Sequence, residues 1–275
     1  MTDTFEWQGK VGDSWAAEWN RTDRSFGPLN EALVAKAANL GDKSSRILDI
    51  GCGAGATSLG LAQAIPTAAI RGIDLSASLI ERARERAANV PQCSFEIADA
   101  SLWRDPDFAP DLLVSRHGVM FFDDPVAAFA NLYAAAAPGA QLIFSCFRAR
   151  AENDWAGKIA SLFPTPLPDP GTAPGPFAFA DEARVSSILG KAGWSEATAE
   201  AFDFAYTAGG GPDPVSDAVD FLSHIGPAAP LIRSLTGKAR IDFIARLAEV
   251  ASAHLVGDTV SFGAATWIWT AFKEG

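Results

Sequence analysis

The fold of this chain is decided by residues 46–57, which read Arg46-Ile47-Leu48-Asp49-Ile50-Gly51-Cys52-Gly53-Ala54-Gly55-Ala56-Thr57. The apolar start predicts a β-strand, and the glycines predict a tight turn before a helix over residues 57–64. Glycines let backbone N–H groups approach a ligand where a Cβ would clash, and the positive end of the helix points to the same place. The pattern therefore predicts a nucleotide-cofactor site.

The glycine turn alone leaves two kinds of cofactor open. Residues 51–56 fit both the dinucleotide pattern G-x-G-x-x-[GA] and the tighter pattern G-x-G-x-G. Asp49 favours S-adenosylmethionine. An ionised acid beneath the turn can accept hydrogen bonds from the loop and bias the local field toward the ammonium and sulfonium charges. The alternative interpretation is that Asp49 only caps the loop.

Three segments, in order along the chain, resemble the class I S-adenosylmethionine-dependent methyltransferases. The first is Asp49-x-Gly51-x-Gly53-x-Gly55, which matches the family's first motif. The second is Gly72-Ile73-Asp74-Leu75-Ser76, with the ribose-binding acid, and the third is Ala98-Asp99-Ala100, with the acid that contacts the adenine amino group. The resemblance is strong over about the first half of the chain and weak over the rest.

Asp74 and Asp99 differ in how well they distinguish S-adenosylmethionine from a dinucleotide. Asp74 ends an apolar strand over residues 69–73, so its carboxylate can accept both ribose hydroxyls, which also suits NAD. Asp99 follows a short strand over residues 94–98. It favours the methyltransferase interpretation, because the dehydrogenase pattern has no standard role for an acid there.

A fourth segment resembles the fourth strand and its loop in one bacterial branch of the family. It reads Asp111-Leu112-Leu113-Val114-Ser115-Arg116-His117-Gly118-Val119-Met120-Phe121-Phe122-Asp123-Asp124-Pro125, and similar members usually show Ser-Arg-Phe-Gly where this chain has His117. The segment lacks the [Asn/Asp]-Pro-Pro-[Tyr/Phe] signature of enzymes that methylate nucleobase or glutamine amides, which disfavours those substrates. The resemblance implies a cofactor site formed by Asp49, Gly51, Cys52, Gly53, Gly55, Asp74, Leu75, Asp99, Ala100, Ser115 and Arg116.

The resemblance also implies the fold and its organisation. We expect an α/β fold, a Rossmann-like seven-stranded, mostly parallel sheet with a reversed last strand and a cap of helices and loop. Residues 1–45 are predicted to be a helical lead-in, 46–150 the S-adenosylmethionine-binding core, 151–180 a lid loop rich in proline and glycine, and 181–275 the remainder of the sheet with a cap over about 211–257. Within the last part, strands are expected over 198–207 and 264–272, and helices over 217–222 and 241–255.

Composition narrows the functional classes. With 275 residues and 48% apolar residues, the chain fits one large domain with an insertion. Its net charge of −11 argues against a nucleic-acid or anionic-membrane partner. The three cysteines and three histidines show neither disulfide nor metal-site spacing, and no apolar run is long enough to span a membrane. We expect a cytoplasmic protein that holds no metal, and the oligomeric state stays open.

The chemistry expected of such a site is a direct displacement at a sulfonium methyl group, in which alignment and exclusion of water matter most. His117 is the predicted catalytic residue, a base of near-neutral pKa for an acceptor that must lose a proton. The alternative is that His117 is an aromatic replacement that lines the pocket. Trp155 and Phe121 are predicted to contact the substrate, and Arg116 to approach the cofactor or an acidic substrate.

The sequence therefore predicts S-adenosylmethionine-dependent methyl transfer to a small, partly apolar molecule. An NAD(P)-dependent oxidoreductase is the first alternative, although the chain's two tyrosines, Tyr133 and Tyr206, form no Tyr-x-x-x-Lys pair. The second alternative is a non-catalytic binding subunit with the same cofactor fold. A damaged glycine turn would be expected of such a subunit, and this turn is intact.

Overall fold

A computed structural model describes residues 7–40 and 46–275 of the protein. In this part of the chain, one sheet has the strand order β3-β2-β1-β4-β5-β8-β6, and a short β7 pairs with β8. The strands are β1 (Arg46–Ile50), β2 (Ala69–Asp74), β3 (Cys93–Ile97), β4 (Leu112–Arg116), β5 (Gln141–Phe147), β6 (Ser195–Gly209), β7 (Leu255–Val256) and β8 (Thr259–Phe272).

The strand directions place a ligand-binding edge at the centre of the sheet. Strands β1 to β5 pair in parallel, whereas β8 runs antiparallel to both β5 and β6. The expected Rossmann-like sheet with a reversed last strand is confirmed, and β7 is an addition to the seven strands expected. The order changes direction between β1 and β4, and open α/β sheets bind ligands beyond the carboxyl ends of the strands at such a point.

Helices cover both faces of the sheet and its carboxyl edge. They are α1 (Lys10–Ala17), α2 (Trp19–Ser25), α3 (Gly27–Leu40), α4 (Ala56–Ala64), α5 (Ala77–Arg86), α6 (Pro125–Ala135), α7 (Asp154–Ala160), α8 (Glu182–Lys191), α9 (Pro214–His224), α10 (Ala228–Ser234) and α11 (Gly237–Ala253). Short 3-10 helices span Val119–Phe121 and Arg150–Glu152.

The core is built by the central strands, which are apolar on both faces because helices or other segments cover each side. Ile47 and Leu48 of β1 and Phe144 of β5 have no exposed surface. The Phe144 ring stacks on Trp269 of β8 at a centroid distance of 6.2 Å, which joins the parallel part of the sheet to the reversed strand. This rigid centre holds the ends of β1, β2 and β4 in place.

The N-terminal helices connect the glycine loop to the opposite side of the carboxyl edge. Arg86 of α5 donates to the Ala54 carbonyl at 2.6 Å and pairs with Asp23 of α2 at 2.6 Å. Arg21 and Arg24, also on α2, pair with Asp217 of α9 at 2.8 and 2.7 Å. Helix α2 therefore bridges the loop after β1 and the helices before β8. Residues 1–6 and 41–45 of the predicted lead-in lie outside the described residues.

The second half of the chain differs from the expected boundaries. Strand β8 begins at Thr259 rather than at residue 264, and β6 extends over Ser195–Gly209 because the two strands pair with each other beyond the rest of the sheet. The cap helices are longer at their start than predicted, and α10 was not predicted at all. Its sequence, Ala-Ala-Pro-Leu-Ile-Arg-Ser, contains a proline, and proline disfavours the interior of a helix, so no helix was expected there. Residues 161–181 contain no helix or strand, as their prolines and glycines predict.

Asn153, which precedes α7, ties three parts of the carboxyl edge together. Its Oδ1 accepts hydrogen bonds from the backbone N–H of Ala265 at 2.9 Å and from Trp155 Nε1 at 3.2 Å. Its Nδ2 donates to the carbonyls of Arg148 and Ala149 at 3.3 and 3.1 Å. The side chain has no exposed surface, so water cannot replace these bonds.

We predict that Asn153→Ala lowers the free energy of unfolding by about 2–4 kcal/mol, because it leaves two buried donors unpaired. Urea unfolding measures the change, and the exposed Asn89→Ala is the matched control, with an expected loss within about 0.5 kcal/mol. A loss for Asn153→Ala no larger than that of the control would contradict the prediction.

Candidate cofactor and acceptor site

The glycine loop between β1 and α4 takes a conformation that side chains disfavour. Gly51, Gly53 and Gly55 have φ angles of 63°, 54° and 82°. A Cβ on Gly51 would lie 2.9 Å from the Cα of Gly118, so the loop after β1 and the loop after β4 meet backbone to backbone. A Cβ on Gly53 would meet nothing within 4 Å, which leaves open space over the loop. The loop is therefore shaped for close approach by a ligand.

Asp74, at the end of β2, fixes the loop from the neighbouring strand. Its Oδ2 accepts a hydrogen bond from the Gly53 N–H and its Oδ1 accepts one from the Ser76 N–H, both at 2.9 Å. Burial raises the pKa of the carboxyl, whereas these backbone bonds lower it. Each carboxylate oxygen has lone pairs left over, so Asp74 can still accept hydrogen bonds from a ligand's hydroxyls.

Asp99 lies on the next strand end and is oriented by its own loop. Its Oδ1 accepts hydrogen bonds from the Ser101 N–H at 2.8 Å and from Ser101 Oγ at 2.7 Å. The 3.0 Å bond from the Leu102 N–H to the Asp99 carbonyl completes this turn. Asp99 and Asp74 thus present carboxylates at successive positions of one sheet edge.

A cavity of about 710 Å³ lies at this edge. Eleven of the predicted site residues line it, namely Gly51, Cys52, Gly53, Asp74, Leu75, Asp99, Ala100, Arg116, His117, Phe121 and Trp155. The fold therefore brings predicted site residues from segments more than a hundred residues apart into one cavity. The volume is in the range of cofactor and small-molecule sites.

Asp49 does not line the cavity, and the expectation that it accepts hydrogen bonds from the glycine loop is wrong in its geometry. Its Oδ2 accepts a 2.6 Å bond from Ser58 Oγ in α4, and its Oδ1 has no partner among the described residues. The Asp49 side chain has no exposed surface, because it points from the sheet toward α4, which covers that face of β1. Burial raises the pKa of this carboxyl to about 6, although the Ser58 bond and the Arg116 charge oppose the shift.

Gly55 and Ser115 also lie outside the cavity wall. A Cβ on Gly55 would come within 3.1 Å of the Phe95 ring, so this glycine serves packing. Ser115 Oγ donates to the Ile50 carbonyl at 2.8 Å and accepts from the Gly118 N–H at 3.1 Å. Both residues support the shape of the loops from behind.

The far half of the cavity has aromatic walls that the sequence motifs did not reveal. Trp155 stacks on Tyr206 at 5.7 Å and on Phe177 at 6.0 Å, and it contacts Phe147 at 5.1 Å. Phe26, in the turn between α2 and α3, contacts Tyr206 at 5.4 Å edge to face. Of these rings only Trp155 was predicted to contact the substrate. The others belong to β5, β6, the turn between α2 and α3, and the proline-rich loop, and no local pattern in the sequence links them.

His117 lies between this aromatic half and the glycine loop. It has a φ of 65°, a strained value for a residue with a Cβ, and its side chain contacts Phe147 at 4.2 Å and Phe26 at 5.4 Å. Its Nδ1 lies 3.0 Å from Ser145 Oγ. Burial lowers the pKa of His117 to about 3, partly offset by a hydrogen bond to the backbone of Ser145, and the charge of Arg116 lowers it further. The expected near-neutral pKa is therefore wrong, because sequence alone did not show how deeply the ring is buried.

Among the described residues, one group of acidic and histidine side chains has the spacing of metal ligands. Glu18, Asp220 and His224 offer oxygen and nitrogen atoms within 4.8 Å of one another. Arg21 contacts Glu18 at 3.0 Å and Asp220 at 2.6 Å, so a guanidinium already supplies positive charge to this group. The group connects α9 to α2 and to Glu18, which lies between α1 and α2.

Comparisons with known proteins agree with this site. Residues 47–139 match the family model of a methyltransferase domain. Trans-aconitate 2-methyltransferase from Variovorax paradoxus is 37% identical over 100 residues, which cover 36% of this chain and 38% of that protein. Malonyl-[acyl-carrier protein] O-methyltransferase 1 from Ilyobacter polytropus is 27% identical over 122 residues, or 44% of this chain and 45% of that one.

Solved structures extend the likeness beyond the matched segment. Phosphoethanolamine N-methyltransferase 2 from Haemonchus contortus, in complex with phosphomonomethylethanolamine and S-adenosylhomocysteine, superposes with a TM-score of 0.57 at 16% identity, covering 95% of this chain and 57% of that one. The YcgJ protein from Bacillus subtilis gives a TM-score of 0.54 at 15% identity, covering 92% and 99%. At such identities the superpositions show the fold.

Sequence and fold together confirm the resemblance to class I S-adenosylmethionine-dependent methyltransferases. More particularly, the match to a methyltransferase domain lies in residues 47–139, and the comparisons support S-adenosylmethionine as the cofactor. The aligned segment spans a little over a third of the length of the trans-aconitate methyltransferases it matches. No helix in residues 7–40 and 46–275 is both long and apolar enough to cross a membrane.

The buried Asp49 gives a prediction about pH. Its pKa of about 6 in the folded protein exceeds the 3.8 of an exposed aspartate, so the folded state holds the proton more tightly. Its contribution to stability is therefore present below pH 4 and is lost as the pH rises through 6. We expect Asp49→Asn to gain about 2–3 kcal/mol relative to the wild type between pH 4 and 7.

Urea unfolding at several pH values measures the free energy of unfolding of both proteins. Subtracting one value from the other cancels the contribution of the other carboxyl groups, which the two proteins share. Asp107→Asn, at an exposed aspartate, is the control and is expected to show no such gain. A difference between Asp49→Asn and wild type that stays constant from pH 4 to 7 would contradict the raised pKa.

Proposed function

We propose that the protein transfers a methyl group from S-adenosylmethionine to a small, partly apolar molecule by direct displacement. The observation that carries the proposal is a single cavity that joins the glycine loop, Asp74 and Asp99 to a set of aromatic walls. The first part fits a nucleoside cofactor, and the second fits an acceptor that must lie dry beside it.

The residues present fit the cofactor. The open space over Gly53 leaves room for its amino-acid part, and Asp74, with lone pairs remaining on both oxygens, can hold the ribose hydroxyls. Asp99 and Ala100 line the same wall one strand further along the edge, where the adenine would be held. When bound, S-adenosylmethionine supplies an electrophilic methyl group on a positively charged sulfur.

The contribution of the protein would be alignment and exclusion of water. Displacement at a methyl group needs the attacking atom in line with the breaking bond, and a bound reactant held in that geometry reacts much faster than one in solution. The contacts among Phe147, Trp155, Phe177 and Tyr206 make one side of the acceptor half rigid and apolar. Water that would solvate the nucleophile has few partners there.

The proline-rich loop is proposed to act as the lid of this half, within the domain boundaries expected from the sequence. Leu167, Pro176 and Phe177 line the cavity. Arg150 donates hydrogen bonds to the carbonyls of Leu167 and Pro168 at 3.3 and 2.9 Å, and the Gly175 N–H donates to the Met120 carbonyl at 3.1 Å. The loop is thus attached at two points to the 3-10 helices that follow β4 and β5.

The acceptor is proposed to be a small molecule, as the relatives' names indicate for those proteins: trans-aconitate, a malonyl-acyl-carrier protein and phosphoethanolamine. Nucleic acid is disfavoured by the net charge of −11, which repels a polyanion before contact. None of the comparisons supports the alternatives of an NAD(P)-dependent oxidoreductase or a non-catalytic subunit.

His117 is proposed to contact the acceptor as a neutral imidazole. It lines the cavity between the glycine loop and the aromatic walls. A pKa of about 3 makes the ring a weak proton acceptor, so proton abstraction is not its main contribution. Its ring packs on Phe26 and Phe147, and it can therefore form part of the fixed wall against which the acceptor lies.

Calorimetric titration tests the cofactor. We expect the wild type to bind S-adenosylhomocysteine with micromolar affinity and to bind neither NAD nor NADP. Asp74→Ala is expected to weaken S-adenosylhomocysteine by about 10- to 100-fold, since it removes a charged hydrogen-bond acceptor. Asp107→Ala, at an exposed aspartate, is the control and is expected to leave the affinity unchanged. Binding of a nicotinamide cofactor alone would overturn the proposal.

The pH profile of turnover tests the role of His117, once an acceptor has been found by screening for S-adenosylhomocysteine release. His117→Phe keeps an aromatic ring and is expected to lower kcat by about 10- to 100-fold by the same factor at every pH from 6 to 9, because the pKa of His117 lies well below that window. A limb near pH 6.5 in the wild type that disappears in His117→Phe would show a titrating base instead.

A further inference from the structure

His224 is a titratable side chain of the cavity wall to which no sequence motif points. It is the last residue of α9, and residues 225–227, which follow it, line the same cavity. One turn earlier, Phe221 stacks on Tyr206, the ring that in turn stacks on Trp155. Residues three apart share one face of a helix, so His224 lies on the face that backs the acceptor half.

The other titratable groups of this half are poor proton acceptors at neutral pH. Burial lowers the pKa of His117 to about 3, and burial raises the pKa of Tyr206, which therefore stays a neutral phenol. Asp23 is held between two guanidinium groups at 2.6 and 3.8 Å, which balance its charge. Among the described residues that line this half, His224 is left as the imidazole that solvent reaches, since its side chain is 53% exposed.

Two carboxylates lie on one side of the His224 ring. Its Nδ1 is 3.4 Å from Glu18 Oε1 and 3.8 Å from Asp220 Oδ1. An ionised carboxylate can only accept hydrogen bonds, so the neutral ring is favoured with its proton on Nδ1 and a lone pair on Nε2. Once Nε2 takes up a proton, the two acids and the carboxyl end of α9 stabilise the imidazolium.

Arg21 of α2 holds these acids in place. It donates to Glu18 Oε2 at 3.0 Å and to Asp220 Oδ2 at 2.6 Å, and its Nε lies 2.8 Å from Asp217 Oδ1. Glu18 is only 13% exposed, and this arrangement keeps its Oε1 directed toward His224. Glu18 and His224 thus have the form of a base that is oriented by an acid.

The outer part of the cavity carries positive charge. Arg150 and Arg233 line it, and among the described residues Arg150 donates to the carbonyls of Leu167 and Pro168, which leave its charge unbalanced. Positive charge disfavours a protonated amine and favours an oxygen that becomes negative as it loses its proton. A neutral hydroxyl on an apolar ring fits both this charge and the aromatic walls.

We propose that His224 is the base that accepts the proton of a phenolic or enolic hydroxyl on the acceptor, with Glu18 as its positioning residue. The proposal rests on the proposed function for the methyl donor. The hydroxyl oxygen forms a bond to the methyl carbon as the bond from that carbon to the sulfonium sulfur breaks, and the sulfur keeps the electron pair. The hydroxyl proton passes to Nε2 of His224 and then to solvent, which reaches the half-exposed ring.

Two phenols of different acidity test the proton transfer. The probes are 4-methylphenol, which keeps its hydroxyl proton at about pH 8, and 4-nitrophenol, which has largely lost it there. Turnover of each is measured as release of S-adenosylhomocysteine by the wild type, His224→Gln and Glu18→Gln. The matched control is His254→Gln, at a histidine that does not line the cavity.

We expect His224→Gln to lower kcat by about 100-fold for 4-methylphenol and by no more than about threefold for 4-nitrophenol, because only the first must lose a proton in the site. Glu18→Gln is expected to show the same contrast at about 10-fold, and His254→Gln to show none. A residue that only shapes the wall would affect both phenols alike. Equal losses for the two phenols, or no loss in His224→Gln, would overturn His224 as the base.

The same measurements separate this proposal from the proposed function. If the wild type binds S-adenosylhomocysteine but turns over neither phenol, the hydroxyl acceptor is wrong while the cofactor assignment stands. If it neither binds S-adenosylhomocysteine nor transfers a methyl group, the proposed function itself fails.

Long-range ¹H–¹⁵N NMR of the His224 ring tests the role of Glu18 without any ligand. We expect the proton of the neutral ring on Nδ1 in the wild type and in His254→Gln, and a redistribution toward Nε2 in Glu18→Gln, because that variant removes the charged acceptor. A wild-type ring protonated mainly on Nε2 would overturn Glu18 as the positioning residue. Thermal unfolding of each variant checks that the fold is retained.

Discussion

The backbone bonds that Asp74 accepts from Gly53 and Ser76 are the constraint on which the rest of the site depends. They connect the loop after β1 to the start of α5, where Ser76 caps the helix by accepting from the Leu79 N–H. Gly12 of α1 packs on Ser76, since a Cβ there would lie 2.3 Å from its Oγ. One carboxylate thus holds together the glycine loop, the second strand and the N-terminal helices that cover the cavity.

Charge is divided between the two halves of the cavity. The nucleoside half presents Asp74 and Asp99, which suit hydroxyl and amino donors and a ligand with positive charge. The acceptor half presents Arg116 and His117 among aromatic rings. The nucleoside half therefore suits a ligand with positive charge, and the aromatic half suits a partly apolar acceptor.

The sequence predicted the parts of the site that are encoded locally. A glycine-rich turn, or an acid that ends an apolar strand, indicates the same local structure wherever it occurs. The loop, Asp74 and Asp99 could therefore be placed from the sequence. The sheet with a reversed last strand was predicted from the resemblance of these motifs to those of the family. The role of Asp49 was misjudged because its partner, Ser58, lies on the helix that packs against β1, and that contact is a property of the packed fold.

The acceptor half could not be predicted in the same way. Phe26, Phe147 and Tyr206 come from three distant segments and have no common spacing, so only the folded chain shows that they meet. The pKa of His117 depends on its burial against Phe26 and Phe147, which come from segments distant in the sequence. Specificity in such folds is determined by packing between segments, which local patterns do not encode.

A crystal structure of the protein with S-adenosylhomocysteine tests the account most directly. We expect the ribose hydroxyls to hydrogen-bond to Asp74 and the adenine to lie beside Asp99. We expect the sulfur to face the pocket formed by Trp155, Tyr206 and His117. A ligand bound away from the glycine loop, or one whose sulfur faces away from the aromatic walls, would contradict the claim that one cavity aligns the methyl donor with its acceptor.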